Sequence, residues 1–362
     1  MASARASRMR ALPTLRRFTM MVLVLGAVGT SFPLASAGGN DVPACFGYAV
    51  TIMGAGVIAG TADRDVIVGS LGPDVIEARG GNDVICGLAG GDIIHGGLGN
   101  DMVDAGEGDD FIRGDVFSSA GDASGGGNDV LYGGAGDDRL AGDSVSLSGD
   151  ATGGGNDIIF GGPGFDGGQG DSRSPAGNAT GAGNDLIDLG PGPNETAIGD
   201  STCLLNGCTA SGAGGNDYID LGTEGGLIAI GDHALTYIPG LIVSATAIGA
   251  GNDVIIAGSA GERLIGDSSV GPEGLAIGAG NDTIDGFGGD DRMLGDNAFH
   301  PAIGGTAGTS GGNDVLDGGT GNDALQSGPA NDVLDGGATT DDCNGENGMD
   351  TAVNCETITG VP

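Results

Sequence analysis

The sequence has no tryptophan and no lysine, aromatic residues make up 4% of it, and histidine occurs three times. A conventional core is built from large apolar side chains, and so thin a supply over 362 residues excludes a thick one. Basic charge is scarce too. The twelve basic residues are all arginine and face forty-nine acids, for a formal net charge of −37. Such a polyanion is repelled by nucleic acid and by anionic membranes, and it attracts cations. What the chain has in quantity is glycine, 81 residues. Abundant glycine with strong net charge ordinarily reads as disorder. A strict period argues against that here, because a disordered chain has no reason to hold apolar residues in register with acids.

The period is plain in "RGGNDVICGLAGGDIIHGGLGND", Arg79 to Asp101, where Asp83, Asp92 and Asp101 are nine residues apart. Asp65, Asp74 and Asp110 fall on the same count, and an apolar residue follows each two places on: Ile67, Ile76, Ile85, Ile94, Val103 and Ile112. The residues around each apolar position make a very short strand, and the glycines turn the chain by supplying positive φ. Two units restore the starting direction, so about eighteen residues make one coil of an all-β solenoid with its apolar residues inward. Strands on neighbouring coils lie roughly 4.8 Å apart, so Asp65, Asp83 and Asp101 stack along one edge. Bare carboxylates at that spacing repel by roughly 3–4 kcal/mol at an effective dielectric near 20. Calcium takes oxygen ligands at about 2.3–2.6 Å, and one ion fits between carboxylates of successive coils.

"GGLGNDMVD" (Gly96 to Asp104) and "GGAGDDRLA" (Gly133 to Ala141) resemble the nonapeptide of RTX, or haemolysin-type, calcium-binding repeat proteins of the secreted bacterial type. The resemblance implies a parallel β-roll with calcium between the turns on both edges. It also implies acidic ligands at Asp65, Asp74, Asp83, Asp92, Asp101 and Asp110, and backbone oxygens from Gly81, Gly90 and Gly99.

Beyond Asp110, "GND" recurs at Asp129, Asp157, Asp185, Asp217, Asp253, Asp282 and Asp314, at intervals of 28, 28, 32, 36, 29 and 32. Each interval exceeds one coil, and the excess begins after a "GD" pair at Asp115, Asp143, Asp171, Asp200, Asp232, Asp267 or Asp296. One edge therefore bears inserted loops such as "SVSLSGDATGG", read chiefly as tolerated insertions, and its "GD" aspartates are placed to add a ligand. On the short-turn edge, nine residues past each "GND" lie Asp138, Asp166, Asn194, Gly226, Glu262, Asp291 and Asp323. Calcium is not expected there in the middle of the chain, and Asp166 is suspect because Gly168 replaces its apolar partner. The expected ligands in this half are Asp129, Asp138, Asp157, Asp185, Asp217, Asp253, Asp282, Asp291, Asp314, Asp323 and Asp332. Strict spacing returns at Asp314, Asp323, Asp332, Asp341 and Asp350.

Five arginines in the first seventeen residues, the run "MMVLVLGAVG" and "ASA" at Ala35 to Ala37 describe a secretory signal too short to span a membrane comfortably. The Arg16-Arg17 pair is a weak twin-arginine hint. Cleavage after Ala37 would leave seven arginines against the forty-nine acids and an extracellular protein with no membrane span. Six cysteines in a secreted chain suggest disulfides. The favoured pairing is local, Cys203–Cys208 and Cys343–Cys355, with Cys45–Cys86 tying the N-terminal segment to the first repeats. A thiolate metal site is the weaker alternative, since no CxxC occurs. The expected divisions are a signal peptide 1–37, an N-terminal cap 38–58, a regular β-roll 59–116, coils with inserted loops 117–311, regular repeats 312–336 and a disulfide-closed cap 337–362, about ten coils in all.

Repeats leave no room for a separate catalytic domain, and no HExxH occurs. "GTSGG" (Gly308 to Gly312) lacks the context of a nucleophile elbow. His95, His233 and His300 are scattered and read as solvated turn or loop residues. The expectation is a secreted, non-enzymatic calcium-binding protein that folds and stiffens on extracellular calcium. The alternative is an adhesin or matrix protein whose edge loops, above all the apolar "HALTYIPGLIVSA" (His233 to Ala245), bind a partner while calcium is purely structural.

Overall fold

A computed structural model describes residues 44–204, 208–235, 246–270, 275–299 and 311–361. The expected signal segment 1–37, His300, residues 236–245 of the apolar insert and 308–310 of "GTSGG" lie outside them.

Each nonapeptide forms one short strand centred on its inward apolar residue: Val66–Val68, Val75–Glu77, Val84–Ala89, Ile93–His95, Met102–Glu107, Phe111–Arg113. Successive strands alternate between two parallel sheets of thirteen strands each. The register keeps like over like, Ile67 beside Ile85 and Ile76 beside Ile94. Because side chains alternate across a strand, the middle residue enters the roll and its two neighbours face out. The core is accordingly two columns of aliphatics. Ile67, Ile85, Val103, Leu131, Ile159, Ile187, Ile219 and Ile255 run down one sheet, and Ile76, Ile94, Ile112 and Leu140 down the other, all essentially inaccessible. Burying each such side chain contributes roughly 1.5–3 kcal/mol. The thin supply of large residues suffices because one per strand is enough.

Where the second column shrinks to Gly168, Ala197 and Ala229, the first sheet's turns add Leu189 and Leu221, both fully buried. A Cβ on Gly168 would lie 2.7 Å from Ile187 Cγ2 and 3.0 Å from Leu189 Cδ2. The missing apolar residue at 168 is therefore replaced in space, and the coil of Asp166 stays packed.

The insertions are not independent loops. They stack into two more parallel sheets, one of seven strands including Phe117–Ser118, Val145–Ser146 and Arg173–Ser174, and one of six including Ala123–Ser124, Ala151–Thr152 and Ala179–Thr180. Ala123, Ala151, Ala179, Ala210, Ala247 and Ala276 point into this lobe and are buried. Their small size lets successive inserts lie in register, as with Ala151 beside Ala179.

Cys45–Cys86, Cys203–Cys208 and Cys343–Cys355 are all bonded, as the favoured pairing expects. The first pins the antiparallel hairpin Ala44–Cys45/Tyr48–Ala49 to the strand Val84–Ala89. Segments 38–58 and 337–362 also supply roll strands, from Ile52–Met53 to Thr357–Thr359, so among the described residues the coils number thirteen rather than about ten. Among the described residues no helix is long and apolar enough to cross a membrane.

Candidate metal centre

Each repeat aspartate ends a glycine turn immediately before its strand, so the stacking of strands stacks the carboxylates. On the insert-bearing edge the backbone N–H of Asp65 donates to Asp83 Oδ1 at 2.7 Å, Asp83 to Asp101 at 2.7 Å and Asp101 to Asp129 at 2.7 Å. The chain of bonds continues through Asp157, Asp185, Asp217, Asp253, Asp282, Asp314 and Asp332 to Asp350. On the short-turn edge the same bond joins Asp74 to Asp92, Asp92 to Asp110, Asp110 to Asp138 and Asp138 to Asp166 at 2.7–2.8 Å. It resumes from Glu262 through Asp291 and Asp323 to Asp341.

From Asp83 onward, one oxygen of each repeat aspartate is thus fixed by the main chain. The other has no partner: Oδ2 of Asp83, Asp92, Asp101, Asp110, Asp129, Asp138 and their successors is buried and unbonded. A buried charged oxygen without a partner is costly, so its surroundings matter. Above Gly133, one point lies 2.5 Å from Asp138 Oδ2 and 2.7 Å from the Gly161 carbonyl oxygen. Above Gly87 the matching distances are 2.5 Å to Asp92 Oδ2 and 2.6 Å to Ala105 O, and above Gly318 2.6 Å to Asp323 Oδ2 and 2.7 Å to Gly336 O. The two oxygens are therefore at most about 5.3 Å apart, close to the span of up to about 5.2 Å that one calcium with 2.3–2.6 Å bonds bridges. On the insert edge Gly114, Gly142, Gly170 and Gly199 face the same pairing of an aspartate Oδ2 with a carbonyl of the next coil. Any side chain there would enter the space where the oxygens converge. The donor set is all oxygen, the kind hard divalent cations take.

Electrostatics agree. Burial pushes Asp101 up to about 8, Asp110 up to about 7 and Asp129 up to about 10, with neighbouring carboxylates adding to the rise and the donated N–H opposing it. Burial thus makes these carboxyls hold protons more tightly than free aspartate does.

A family model for the RTX calcium-binding nonapeptide repeat matches residues 59–94, 87–117, 123–145, 278–298, 309–343 and 317–352. The chain carries RTX calcium-binding repeats. Its strands stack as in a β-roll. No curated protein matches it. The RTX matches skip 146–277, where inserts separate the nonapeptides and the short-turn edge departs most from the pattern.

All the RTX aspartates singled out from sequence lie on one of the two edges and are buried. Gly81, Gly90 and Gly99 adopt φ of +124°, +120° and +136°. Their carbonyls press on the glycine one coil ahead, so a Cβ on Gly99, Gly108 or Gly127 would overlap them. Asp166 holds the same geometry as its neighbours, accepting the Asp138 N–H, because Leu189 compensates for Gly168.

The short-turn edge is more acidic than a count of nine allows. Thr196 pairs with Gly167, so Glu195 rather than Asn194 follows Asp166 in the row. Asn194 takes a left-handed φ of 62° in the turn. Glu195 is fully buried with both carboxylate oxygens unbonded, and burial followed by Asp166 pushes it up to about 9. One extra turn residue hid it from the count. Only at Gly226, beside a register shift between Glu195 and Thr196, does the row lack an acid before Glu262.

Two histidines are interior rather than solvated. His95 Nδ1 lies 2.8 Å from Glu77 Oε1, its Nε2 accepts from Arg113 at 2.6 Å, and its ring lies against Phe117. His233 is buried in the insert lobe and accepts the Ser201 N–H at Nδ1, 3.2 Å.

Proposed function

We propose that the protein is a secreted calcium-binding roll that folds and stiffens when extracellular calcium fills its edges, and that it catalyses no reaction. The observation that carries this reading is the pair of buried Oδ2 rows, each oxygen unbonded and converging with a carbonyl of the next coil. A bound divalent cation supplies the positive charge that lets stacked carboxylates remain ionised. Binding free energy then becomes folding free energy. Calcium at about 10⁻⁴–10⁻³ M, the range of extracellular modules, would drive the transition outside the cell, while low calcium inside keeps the chain loose for export. Three disulfides fit an oxidising compartment. The test is to compare far-UV circular dichroism and melting of the chain in calcium and in EGTA. Loss of β signal and of the cooperative melt in EGTA supports the reading, and identical curves reject it.

One observation favours an adhesive role in addition. Ile248, Leu275 and Ile277 are exposed on the adjacent strands Thr246–Ile248 and Leu275–Ile277 of the insert lobe. Deleting residues 236–245 would abolish surface binding with calcium affinity unchanged; loss of calcium affinity with binding retained rejects the adhesive role.

A further inference from the structure

The "GD" aspartates that open each insert belong to neither RTX edge row. Asp115 stands where the regular turn has its second glycine, as "GGLGND" at Gly96 to Asp101 becomes "GD…GND" at Gly114 to Asp129. Its successors at Asp143, Asp171, Asp200, Asp232, Asp267 and Asp296 repeat the position coil by coil, all 0–1% exposed. They are sealed between the roll and the insert lobe.

We propose that this third row makes the insert-bearing edge a separate and tighter class of calcium site, in which each ion is held by carboxylates of both rows. The proposal rests on the calcium reading above. One carboxylate oxygen each of Asp143, Asp157 and Asp171 lies within 4.8 Å of the other two, and the same holds for Asp171, Asp185 and Asp200. Oxygens around one calcium at about 2.4 Å can be at most about 4.8 Å apart, so each trio fits a single ion. The trios draw on both rows, Asp157 and Asp185 from the repeat row and Asp143, Asp171 and Asp200 from the third.

The third-row oxygens are also short of partners. Oδ2 of Asp143, Asp171, Asp267 and Asp296 is buried without a donor, beside the equally unbonded Oδ2 of Asp157 and Asp185, and neighbouring carboxyls of the row, Asp115 with Asp143 and Asp171 with Asp200, face one another. Main-chain donors reach only one side of most members: the Gly127 N–H donates to Asp143 Oδ1 and the Gly155 N–H to Asp171 Oδ1, each at 3.3 Å. Among the described residues no arginine pairs with the row, and its one ion-pair neighbour is His233, 3.8 Å from Asp200.

Charge sets the rank of the two classes. A regular edge offers one carboxylate per coil, so one divalent ion per coil exceeds the protein charge that faces it. The insert-bearing edge offers two per coil, which balance one divalent ion. Ligand charge count tunes calcium affinity over orders of magnitude, so the insert-bearing coils load first and release last. The inserts thereby create a calcium-retaining middle flanked by weaker ends.

The test uses the full chain stripped with EGTA and titrated with calcium against a chromophoric chelator. Wild type is expected to show two classes of site. Asp171→Asn, which keeps shape and removes charge, should weaken the tight class by about tenfold or more and leave the weak class in place. Asp138→Asn, on the short-turn edge, should do the reverse. If Asp171→Asn does not regain wild-type circular dichroism in saturating calcium, Asp296→Asn at the end of the row replaces it, with loss of one tight site expected. An isotherm unchanged in the folded third-row variant overturns the proposal while leaving calcium binding intact. A wild type that binds no calcium overturns the underlying reading instead.

Discussion

Gly133→Ala should remove one calcium site while leaving the strand's hydrogen bonds in place. The new Cβ would lie 2.5 Å from Asp138 Oδ2 and 2.7 Å from the Gly161 carbonyl oxygen, closer than real Cβ atoms approach such groups. One or both oxygens must move. Overpacking of this kind costs roughly 1–3 kcal/mol, offset by roughly 0.4–1 kcal/mol because alanine restricts the unfolded chain. Without calcium the net loss is therefore about 0–2.6 kcal/mol. At calcium about 100-fold above Kd, a wild-type site contributes a further ~2.7 kcal/mol that the variant forfeits. The calcium needed for half-folding should rise, and the bound-calcium count should fall. Gly72→Ala is the control, since a Cβ there meets nothing within 4 Å, and a change within about 0.5 kcal/mol is expected. Guanidinium unfolding at fixed calcium and equilibrium dialysis provide the two readouts. Wild-type calcium content and stability in Gly133→Ala, or equal damage from Gly72→Ala, would refute the assignment of these glycines to the ion's surroundings.

Further outcomes are expected. In EGTA, burial holds groups such as Asp101, Asp129 and Glu195 up at about 8, 10 and 9, above the ordinary 3.8 of aspartate and 4.5 of glutamate. Their contribution to stability is fully present below about pH 4 and is lost as pH rises through 8–10. The metal-free chain should therefore show more β signal by circular dichroism at pH 4.5 than at pH 8, and calcium should reverse that order. Ile159→Ala, at a fully buried position, should cost about 2–5 kcal/mol in unfolding at saturating calcium. Removing Cys45–Cys86, which spans 41 residues, should cost roughly 4 kcal/mol, and removing Cys203–Cys208, which spans 5, roughly 2 kcal/mol. Thermal melts of the paired serine variants would check the order.

The fold was readable where one physical rule acts alone. A nine-residue period with an aspartate and an apolar residue at constant offset admits little but a stack of short strands, and Asp83 beneath Asp101 follows directly. Reading stopped where the chain gains or loses a single residue. Glu195 escaped because a count of nine stops at Asn194, whereas the strand slides by one to keep Thr196 beside Gly167. Gly168 looked like a gap because Leu189, which fills the space, comes from another strand's turn. The insert lobe was misjudged for a different reason. Its strands are two or three residues long, so no apolar alternation could develop. The signal present was subtler, a small residue recurring before "GND" at Ala123, Ala151 and Ala179. His95 and His233 carried no sequence mark of burial, because their partners Glu77, Arg113 and Ser201 lie one coil away.

The most direct test of the central claim is a calcium titration of the chain beginning at Gly38, in EGTA-treated buffer, followed by far-UV circular dichroism with bound calcium counted in parallel. The account predicts a cooperative gain of β structure at sub-millimolar to millimolar calcium that tracks the filling of multiple sites. A β signal already complete in EGTA and flat throughout would mean that aliphatic columns and disulfides close the coils alone, and would contradict it.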